Sequence, residues 1–518
     1  MSVAALEADV VVAGAGHNSL IAAAYLARAG FEVIVLEARD IIGGNTVTEE
    51  LTLPGFKHDS CSSAHVLIQS SPLLRNDELE LGRYGLRYIY TDPAVVMPFE
   101  DGSSLTMWRD PQRTAAEIAR YSRLDAGAYL ELLAQWDADL KQVHSRINNF
   151  PPSEEAPDND AGRAYSKLSA MSAQDFVFDH FEHERVRSLM LWLSFATIQD
   201  TQRPGTGILP LSVAAGRQEF GWATPVGGSG ALPGALARLI ESHGGKVIPG
   251  SQVTEIIVEK GRAAGCVTAS GGVYRARKAL LSTIHAARLV DVLPLDQVPE
   301  DFRSAMTEWR PGLTLFALHV ALRRVPSFSV EEGYLMATAG AYGSPTGLAE
   351  QISAHDEGRT CDRDPWILVV NSCAVDPGRA PNGGATLKLL TIAPRELLNA
   401  SWDTERDRFG HALLARVAAR MDFDSDDVLA VVAECPLDLE ERNPHNYLGS
   451  CHGGELSPLQ SGVNRPARGY SGYRLWLDGL YQTGASTHPG GSVSGRPGRN
   501  AARVMLSDLG VDPSSLMR

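Results

Sequence analysis

The sequence predicts an α/β fold in two domains, and three observations support this prediction. The chain has 518 residues, which is too many for one compact hydrophobic core. Near the N-terminus, the apolar run DVVVA at 9–13 leads into Gly-Ala-Gly and then into an alanine-rich helical stretch. The C-terminal segment 445–518 contains glycine-rich loops again and ends in a predicted helix at 500–509.

The N-terminal segment predicts a strand, a helix and a second strand in close succession. Residues 9–13 are continuously apolar, which is typical of a buried parallel strand. A helix is expected at 18–28 with Gly30 as its C-terminal cap, and FEVIVLE at 31–37 predicts the next strand. Together they form a βαβ unit of about thirty residues, which indicates a Rossmann-type dinucleotide-binding domain.

The rest of the chain alternates between helical and strand-like segments. Residues 111–200 have helical spacing, and an acidic stretch with prolines at 151–162 predicts an exposed loop. Further strands are predicted at 246–248, 253–259, 263–268, 313–322, 367–372 and 480–483. We expect a discontinuous dinucleotide-binding domain at 1–75, 215–295 and 445–518, and a discontinuous α+β substrate domain at 76–214 and 296–444.

Composition excludes several classes of protein. The net charge of −15 argues against nucleic acid as a partner, because phosphate binding needs clustered basic residues. No segment approaches the ~18 uncharged apolar residues of a membrane span, and no signal peptide is visible, so a soluble cytoplasmic protein is expected. The six cysteines never form a Cys-x-x-Cys pair. This spacing argues against zinc, iron–sulfur and dithiol redox sites, and no metal site is predicted.

The turn after the first strand has glycine where a dinucleotide requires it. Gly14 allows the tight turn, and Gly16 lets the backbone approach a pyrophosphate at the helix N-terminus. Ser19 occupies the third position of this motif, where glycine or alanine is usual. Glu37 ends the second strand, where a carboxylate accepts hydrogen bonds from ribose hydroxyls, and an acidic residue there argues against a 2′-phosphate.

A second glycine turn favours FAD over NAD. Ala38 and Arg39 follow Glu37, and Gly43 and Gly44 come shortly afterwards. A flavin dinucleotide extends across its domain, so its pyrophosphate and ribityl chain pass such a loop, whereas an NAD dehydrogenase has no need of it. The sequence therefore predicts FAD as the cofactor.

These motifs resemble the flavin-containing amine oxidase and phytoene desaturase superfamily, and in particular its phytoene dehydrogenase-like branch. That branch includes pyridine nucleotide-disulfide oxidoreductase domain 2 proteins and bacterial carotenoid ketolases. The similar segments are GAGHNSLIAAAYLARAG at 14–30, PGFKHDSCS at 54–62, HGGE at 452–455 and GLYQTGASTHPGG at 479–491. The centre of the chain, at 100–210 and 325–440, has no motif that can be assigned.

The resemblance implies an amine oxidase/phytoene desaturase-like fold with non-covalent FAD. It places Gly484, Ala485 and Ser494 against the pyrophosphate and the flavin, and the backbone of Val253 against adenine. Many amine oxidases of this superfamily keep a lysine near the flavin on a substrate-domain strand. The corresponding stretch here, 309–322, offers Thr314 and His319 and no lysine, which argues against direct amine oxidation.

The flavin would perform the redox step, and the protein would supply orientation and, often, a base. The candidate catalytic residues are His65 after the second glycine turn, His488 in the C-terminal loop and Glu455 beside a glycine pair. A structural role is the alternative for each. Weaker candidates are His58, Asp59, His285, His319 and His452.

The sequence thus predicts an FAD-dependent desaturase, dehydrogenase or oxidase. It would take a hydride from a largely apolar substrate, such as an isoprenoid or an alicyclic ketone, and form a C=C bond. The electron acceptor would be oxygen, a quinone or another carrier, and a membrane surface is a further candidate partner. Two alternatives stay open: a redox-neutral flavin-dependent isomerase, and a non-catalytic prenyl-protein-binding protein of the Rab escort or GDI type.

Overall fold

The computed structural model describes residues 5–153 and 158–518, and two seven-stranded sheets organise this part of the chain. The first sheet draws its strands from both ends and the middle of the sequence: β1 (Leu6–Ala13), β2 (Val33–Leu36), β9 (Lys246–Ile248), β10 (Val253–Glu259), β11 (Arg262–Thr268), β12 (Val273–Ser282) and β20 (Leu480–Gln482). Their order is β10-β11-β12-β1-β2-β9, with β20 paired to β12.

Strand direction in this sheet brings several chain segments to one edge. The pairs β1–β2, β1–β12, β2–β9 and β12–β20 are parallel, whereas β10 and β11 are antiparallel to their neighbours. Because the carboxyl ends of parallel strands meet at one edge, the turns after Ala13, Leu36, Ser282 and Gln482 lie close together. Ligands of open α/β sheets bind at such an edge.

The second sheet belongs to the remaining stretches of the chain. Its strands are β6 (Val95–Pro98), β7 (Ser104–Met107), β13 (Leu315–Leu322), β16 (Ala339–Tyr342), β17 (Ile367–Asn371), β18 (Ala385–Ile392) and β19 (Val428–Glu434). Their order is β19-β13-β18-β17-β16-β6-β7. All of β13 and β18 is buried, because helices and loops cover both faces there.

Three short antiparallel pairs complete the strands of the described residues: β3 (Thr48–Glu49) with β4 (His58–Asp59), β5 (Tyr88–Ile89) with β8 (Thr224–Pro225), and β14 (Phe328–Val330) with β15 (Gly333–Leu335).

The α-helices of the same residues are α1 (His17–Arg28), α2 (Val66–Gln69), α3 (Pro72–Arg75), α4 (Pro111–Ala119), α5 (Arg123–Gln135), α6 (Lys141–Asn148), α7 (Asp160–Ala170), α8 (Ala173–His180), α9 (Glu184–Phe195), α10 (Leu209–Phe220), α11 (Ala231–Ser242), α12 (Ala286–Leu289), α13 (Glu300–Thr307), α14 (Pro345–Asp356), α15 (Trp402–Ala418), α16 (Pro436–Arg442) and α17 (Arg496–Asp508).

Helix α1 connects the two ends of the chain. It packs against α17 and α11, and its side chains from Asn18 to Ala27 are all buried. A buried ion pair fixes this contact, since Arg499 on α17 donates two hydrogen bonds of 2.7 Å to Glu78, and Tyr25 on α1 donates to the same carboxylate. The C-terminal segment is thereby held beside the first glycine turn.

The predicted α/β fold is confirmed, and the differences lie at element ends. Strand β1 starts before residue 9, and β2 is shorter than predicted because residues 31 and 37 lie outside its ladder. The last helix begins at Arg496 rather than at 500. Part of the loop predicted at 151–162 lies outside the described residues, and α7 already begins at Asp160. The predicted domain boundaries stay a prediction.

Two searches of the described residues gave negative results. No helix in them is long and apolar enough to cross a membrane. No group of three or more His, Cys, Asp or Glu side chains in them is arranged to hold a metal ion.

Candidate cofactor and active site

One large cavity, of about 490 Å³, runs from the carboxyl edge of the first sheet to the second sheet. Nine of the residues that the sequence assigned to the cofactor line it: Gly14, Gly16, Glu37, Ala38, Gly43, Gly44, Val253, Gly484 and Ala485. Three others, Ser19, Arg39 and Ser494, do not line it. The cavity therefore brings together segments from the start, the middle and the end of the chain.

The first two glycine turns are joined directly to each other. Gly14 has a φ of +96°, a backbone conformation that side chains rarely adopt. The Gly43 amide donates to the Ala15 carbonyl at 2.8 Å. Ser19 lies behind the first turn, and its hydroxyl is 2.7 Å from the Gly14 carbonyl oxygen and 2.9 Å from that of Gly16. Its role is thus to hold the turn from within the protein.

Glu37 is buried at the end of the cavity nearest β2. One of its carboxylate oxygens accepts a hydrogen bond from the Ala15 amide at 2.8 Å, and the other accepts one from the Arg39 amide at 3.0 Å. Burial raises its pKa, and these hydrogen bonds oppose the rise. Each oxygen keeps a further lone pair that could accept from a hydroxyl. The Arg39 guanidinium instead pairs with Glu49 at 2.8 Å.

The C-terminal loop meets the cavity at Gly484. This residue has a φ of +109°, and an added Cβ would lie 2.7 Å from the Thr283 hydroxyl oxygen. The next carbonyl, of Ala485, accepts a hydrogen bond of 2.7 Å from the buried Arg465 guanidinium. Ser494 faces a separate cavity, where its hydroxyl accepts from the Arg496 amide at 3.4 Å. The loop is therefore shaped by backbone geometry rather than by side chains.

The three predicted catalytic residues lie outside the large cavity. His65 is fully buried, and its ring nitrogens contact the Tyr88 hydroxyl at 3.0 Å and the Ser229 hydroxyl at 3.1 Å. Nε2 of His488 contacts the Ile147 carbonyl at 3.0 Å. Glu455 lines a different cavity. Their positions favour structural roles, and their catalytic role stays an untested prediction.

Four other histidines do line the cavity, and sequence reasoning gave them little weight: His17, His285, His445 and His452. Burial lowers the pKa of His17, His445 and His452 to about 4, so these rings are neutral at physiological pH. Among them, His452 contacts only the Cys451 thiol, at 3.0 Å from Nδ1, within the described residues. The sequence feature that could have identified His17 is its place inside the first glycine motif.

The cavity also brings together two cysteines that are far apart in sequence. Cys61 and Cys451 both line it, and their thiols are hydrogen-bonded to each other, which lowers the pKa of Cys61. The search for Cys-x-x-Cys spacing could not detect this pair, because the contact depends on tertiary structure. Asn45 supports it by donating to the Cys451 carbonyl at 3.1 Å.

A buried lysine lies directly behind Cys61. Lys388 on β18 is opposite His319 on β13, and its ammonium donates to the Cys61 carbonyl and, at 3.3 Å, to the Ser63 hydroxyl. Burial lowers its pKa. The stretch 309–322 contains no lysine, as the sequence showed, but the neighbouring strand supplies one. That position could not be read from spacing alone.

The end of the cavity that reaches the second sheet has mainly aliphatic walls. This apolar end is lined by Val66, Leu67, Ala196, Ile198, Val213, Leu315, Leu368 and Leu390, together with Arg217 and Trp222. The opposite end has backbone amides, glycine turns and the Glu37 carboxylate. Such a polarity gradient suits a dinucleotide that extends a flat ring system towards an apolar substrate.

The residues present fit FAD by the chemistry of their donors and acceptors. Three backbone turns free of side chains converge on the edge where helix α1 begins, which suits a pyrophosphate. The Glu37 carboxylate offers lone pairs to a ribose. Nε2 of His17 is buried without a hydrogen-bond partner and lines the cavity between these features.

Comparison with known proteins agrees with this geometry. The NAD(P)-binding Rossmann-like domain family matches residues 12–76. Pyridine nucleotide-disulfide oxidoreductase domain-containing protein 2 of Mus musculus is 28% identical, covering 97% of this chain and 94% of that protein. A limonene dehydrogenase chain of Castellaniella defragrans is 26% identical, covering 98% and 96%. A neurosporene-forming phytoene desaturase of Cereibacter sphaeroides is 25% identical, covering 97% and 94%.

Solved structures show the same fold. A putrescine oxidase triple mutant superposes with a TM-score of 0.63 at 14% identity, covering 98% of this chain and 99% of that one. Cyclohexylamine oxidase of Brevibacterium oxydans gives a TM-score of 0.59 at 18% identity, covering 97% and 99%. The resemblance found in the sequence is therefore confirmed: this chain has the amine oxidase fold, and its relatives along nearly its whole length are oxidoreductases that include limonene dehydrogenase and the phytoene desaturases.

Proposed function

We propose that this protein binds FAD non-covalently and oxidises a largely apolar substrate by taking a hydride from it, with formation of a C=C bond. One observation carries the proposal: a single cavity joins the three glycine turns and the Glu37 carboxylate to an aliphatic chamber. Such an arrangement suits a redox cofactor that lies against an apolar molecule. Isoprenoids and alicyclic ketones are the substrate types that match the chamber.

The chain's own groups would hold the two ends of the cofactor differently. Glu37 would accept hydrogen bonds from the adenosine ribose, and the backbone of Gly16 and Gly484 would lie against the pyrophosphate and the flavin. FAD, when bound, supplies a hydride acceptor. The protein then contributes orientation and exclusion of water. A covalent link is not needed, since the surrounding loops supply the contacts.

The aliphatic walls favour a hydrocarbon-like substrate. Leu315, Leu368 and Leu390 come from three different strands of the second sheet and face one chamber. Burying the apolar surface of a ligand against them contributes roughly 25 cal/mol per Å². The names of two relatives, limonene dehydrogenase and phytoene desaturase, point to the same chemistry.

Formation of a C=C bond also releases a proton, and His452 is the group we propose to accept it. It lines the cavity in the neutral form, and its Nε2 makes no hydrogen bond within the described residues. A neutral imidazole with a free nitrogen can act as a base. The electrons would pass on to oxygen, a quinone or another carrier. Delivery of an apolar substrate from a membrane surface is part of this proposal.

Two measurements test the proposed function. Acid precipitation of the purified protein should release yellow FAD into the supernatant, and flavin that stays in the pellet would contradict non-covalent binding. Under anaerobic conditions, the bound flavin should bleach with a polyene or a cyclic ketone and stay oxidised with an amine such as cyclohexylamine.

The same titration separates the alternatives. A redox-neutral isomerase would convert a polyene without net bleaching of the flavin. A non-catalytic prenyl-binding protein would be purified without flavin and would not take it up.

A further inference from the structure

One charged side chain in the apolar end of the cavity has no counter-ion. Arg217 lies on α10, is only 5% exposed and lines the chamber. It forms no ion pair with any carboxylate of residues 5–153 and 158–518. Its contacts are a long hydrogen bond of 3.4 Å from Nη1 to the Gly221 carbonyl and a position 4.0 Å over the Trp222 ring. Nε has no hydrogen-bond partner.

Other buried arginines of this protein are fully compensated. Arg379 pairs with Asp59 at 3.0 Å, and Arg499 forms a bidentate pair with Glu78. Arg465 donates hydrogen bonds to several backbone carbonyls. Removing a guanidinium from water without such partners is costly, so an uncompensated one needs another reason to be retained.

The position and charge of Arg217 supply that reason. Burial lowers its pKa to about 9, so the guanidinium is still cationic at neutral pH. A second donor beside it is also unpartnered, because the Trp222 indole N–H is buried without an acceptor and lines the same cavity. Two unsatisfied donors in an otherwise aliphatic chamber call for an oxygen acceptor on the ligand.

We propose that Arg217 binds the carboxylate of a monoanionic substrate whose remaining body is apolar. A planar guanidinium matches a carboxylate in a bidentate geometry, and one uncompensated cation balances one negative charge. A phosphate monoester, with a larger charge, would require further cations that the chamber lacks in the described residues. This assignment rests on the proposed function, because it takes the apolar end of the cavity as the substrate site.

Binding of two matched probes tests this assignment without relying on catalysis. Decanoate and decanol have the same chain and differ in charge, and equilibrium dialysis of labelled probes measures their affinities for the full chain at pH 7.5. Wild-type protein should bind decanoate at least tenfold more tightly than decanol. The Arg217→Met variant should lose at least tenfold in decanoate affinity with little change for decanol, and Arg217→Lys should lie between them.

A matched control uses Arg75, whose charge is already compensated by Glu219 at 2.7 Å. Arg75→Met should leave both affinities unchanged. Equal weakening of the two probes by Arg217→Met, or an unchanged preference for decanoate, would overturn the proposal. The wild-type comparison decides even if Arg217→Met fails to fold, because equal affinity of wild type for the two probes also overturns it.

Flavin content, measured in parallel by absorbance, separates this inference from the proposed function. A wild-type protein without flavin that still prefers decanoate would contradict only the proposed function. A folded Arg217→Met protein that loses flavin would assign Arg217 to the cofactor site and contradict the inference alone.

Discussion

The Glu37 carboxylate and the Ala15 amide are 2.8 Å apart, so the end of β2 is tied to the first glycine turn. The same carboxylate also accepts from the Arg39 amide. Glu37 therefore shapes the loops on both sides of the proposed ribose site before any ligand binds. This preorganisation adds to the hydrogen bonds that it would give to a ribose.

Replacing Glu37 should weaken FAD binding. Glu37→Ala removes charge-assisted hydrogen bonds and leaves two amides without acceptors, which costs about 1.5–3 kcal/mol, or roughly tenfold or more in Kd. Glu37→Gln keeps the shape and one acceptor oxygen and should lose less. Flavin retained after dialysis, measured by absorbance, gives the answer. Glu32→Ala, which removes an exposed ion pair with Arg277, is the control and should have no effect. Equal flavin content in all variants would show that Glu37 does not contact FAD.

Gly484→Val should abolish flavin binding. Its φ of +109° is forbidden to a β-branched residue, and the new side chain would meet the Thr283 hydroxyl oxygen, which is 2.7 Å from an ideal Cβ. The loop must then move away from the cavity edge. The measurement is the ratio of flavin to protein absorbance, with circular dichroism to confirm folding.

Gly30→Val is a matched control for Gly484→Val. Gly30 also has a positive φ, of +91°, but an added Cβ there meets no atom within 4 Å. It should cost stability, about 1–2 kcal/mol, and keep the flavin. A folded Gly484→Val protein with full flavin content would remove the C-terminal loop from the cofactor site.

Ser19→Ala should destabilise the protein while flavin content stays near that of wild type. The Ser19 hydroxyl lies within hydrogen-bond distance of the Gly14 and Gly16 carbonyls, and losing this interaction costs about 1 kcal/mol. Ser19→Gly should cost about 1 kcal/mol more because it introduces glycine into α1. Thermal unfolding checks both. A more stable Ser19→Ala variant would show that the hydroxyl is dispensable to the turn.

Sequence reasoning succeeded where backbone geometry imposes the residue type. Gly14 and Gly484 could be found because a turn with positive φ demands glycine, and Glu37 because a strand end fixes its distance from the turn. It failed for Lys388 and Arg217, whose importance depends on which strand or helix packs beside them. It also could not orient His65, since a histidine after a cofactor motif does not reveal whether its ring turns towards the cavity or, as here, towards Tyr88.

Acid should destabilise the protein through its neutral buried histidines. Burial lowers the pKa of His17, His445 and His452 from 6.5 to about 4, so the unfolded chain binds more protons than the folded one between those pH values. Stability contributed by each ring is complete above pH 6.5 and is lost as the pH falls towards 4, by up to about 3 kcal/mol per histidine. The Tm should therefore fall steadily from about pH 7 to about pH 5. His452→Gln removes one titrating group and should make this fall shallower, whereas His411→Gln, at an exposed position on α15, should leave it unchanged. An identical pH dependence in wild type and His452→Gln would show that His452 is already protonated, or already solvated, in the folded protein.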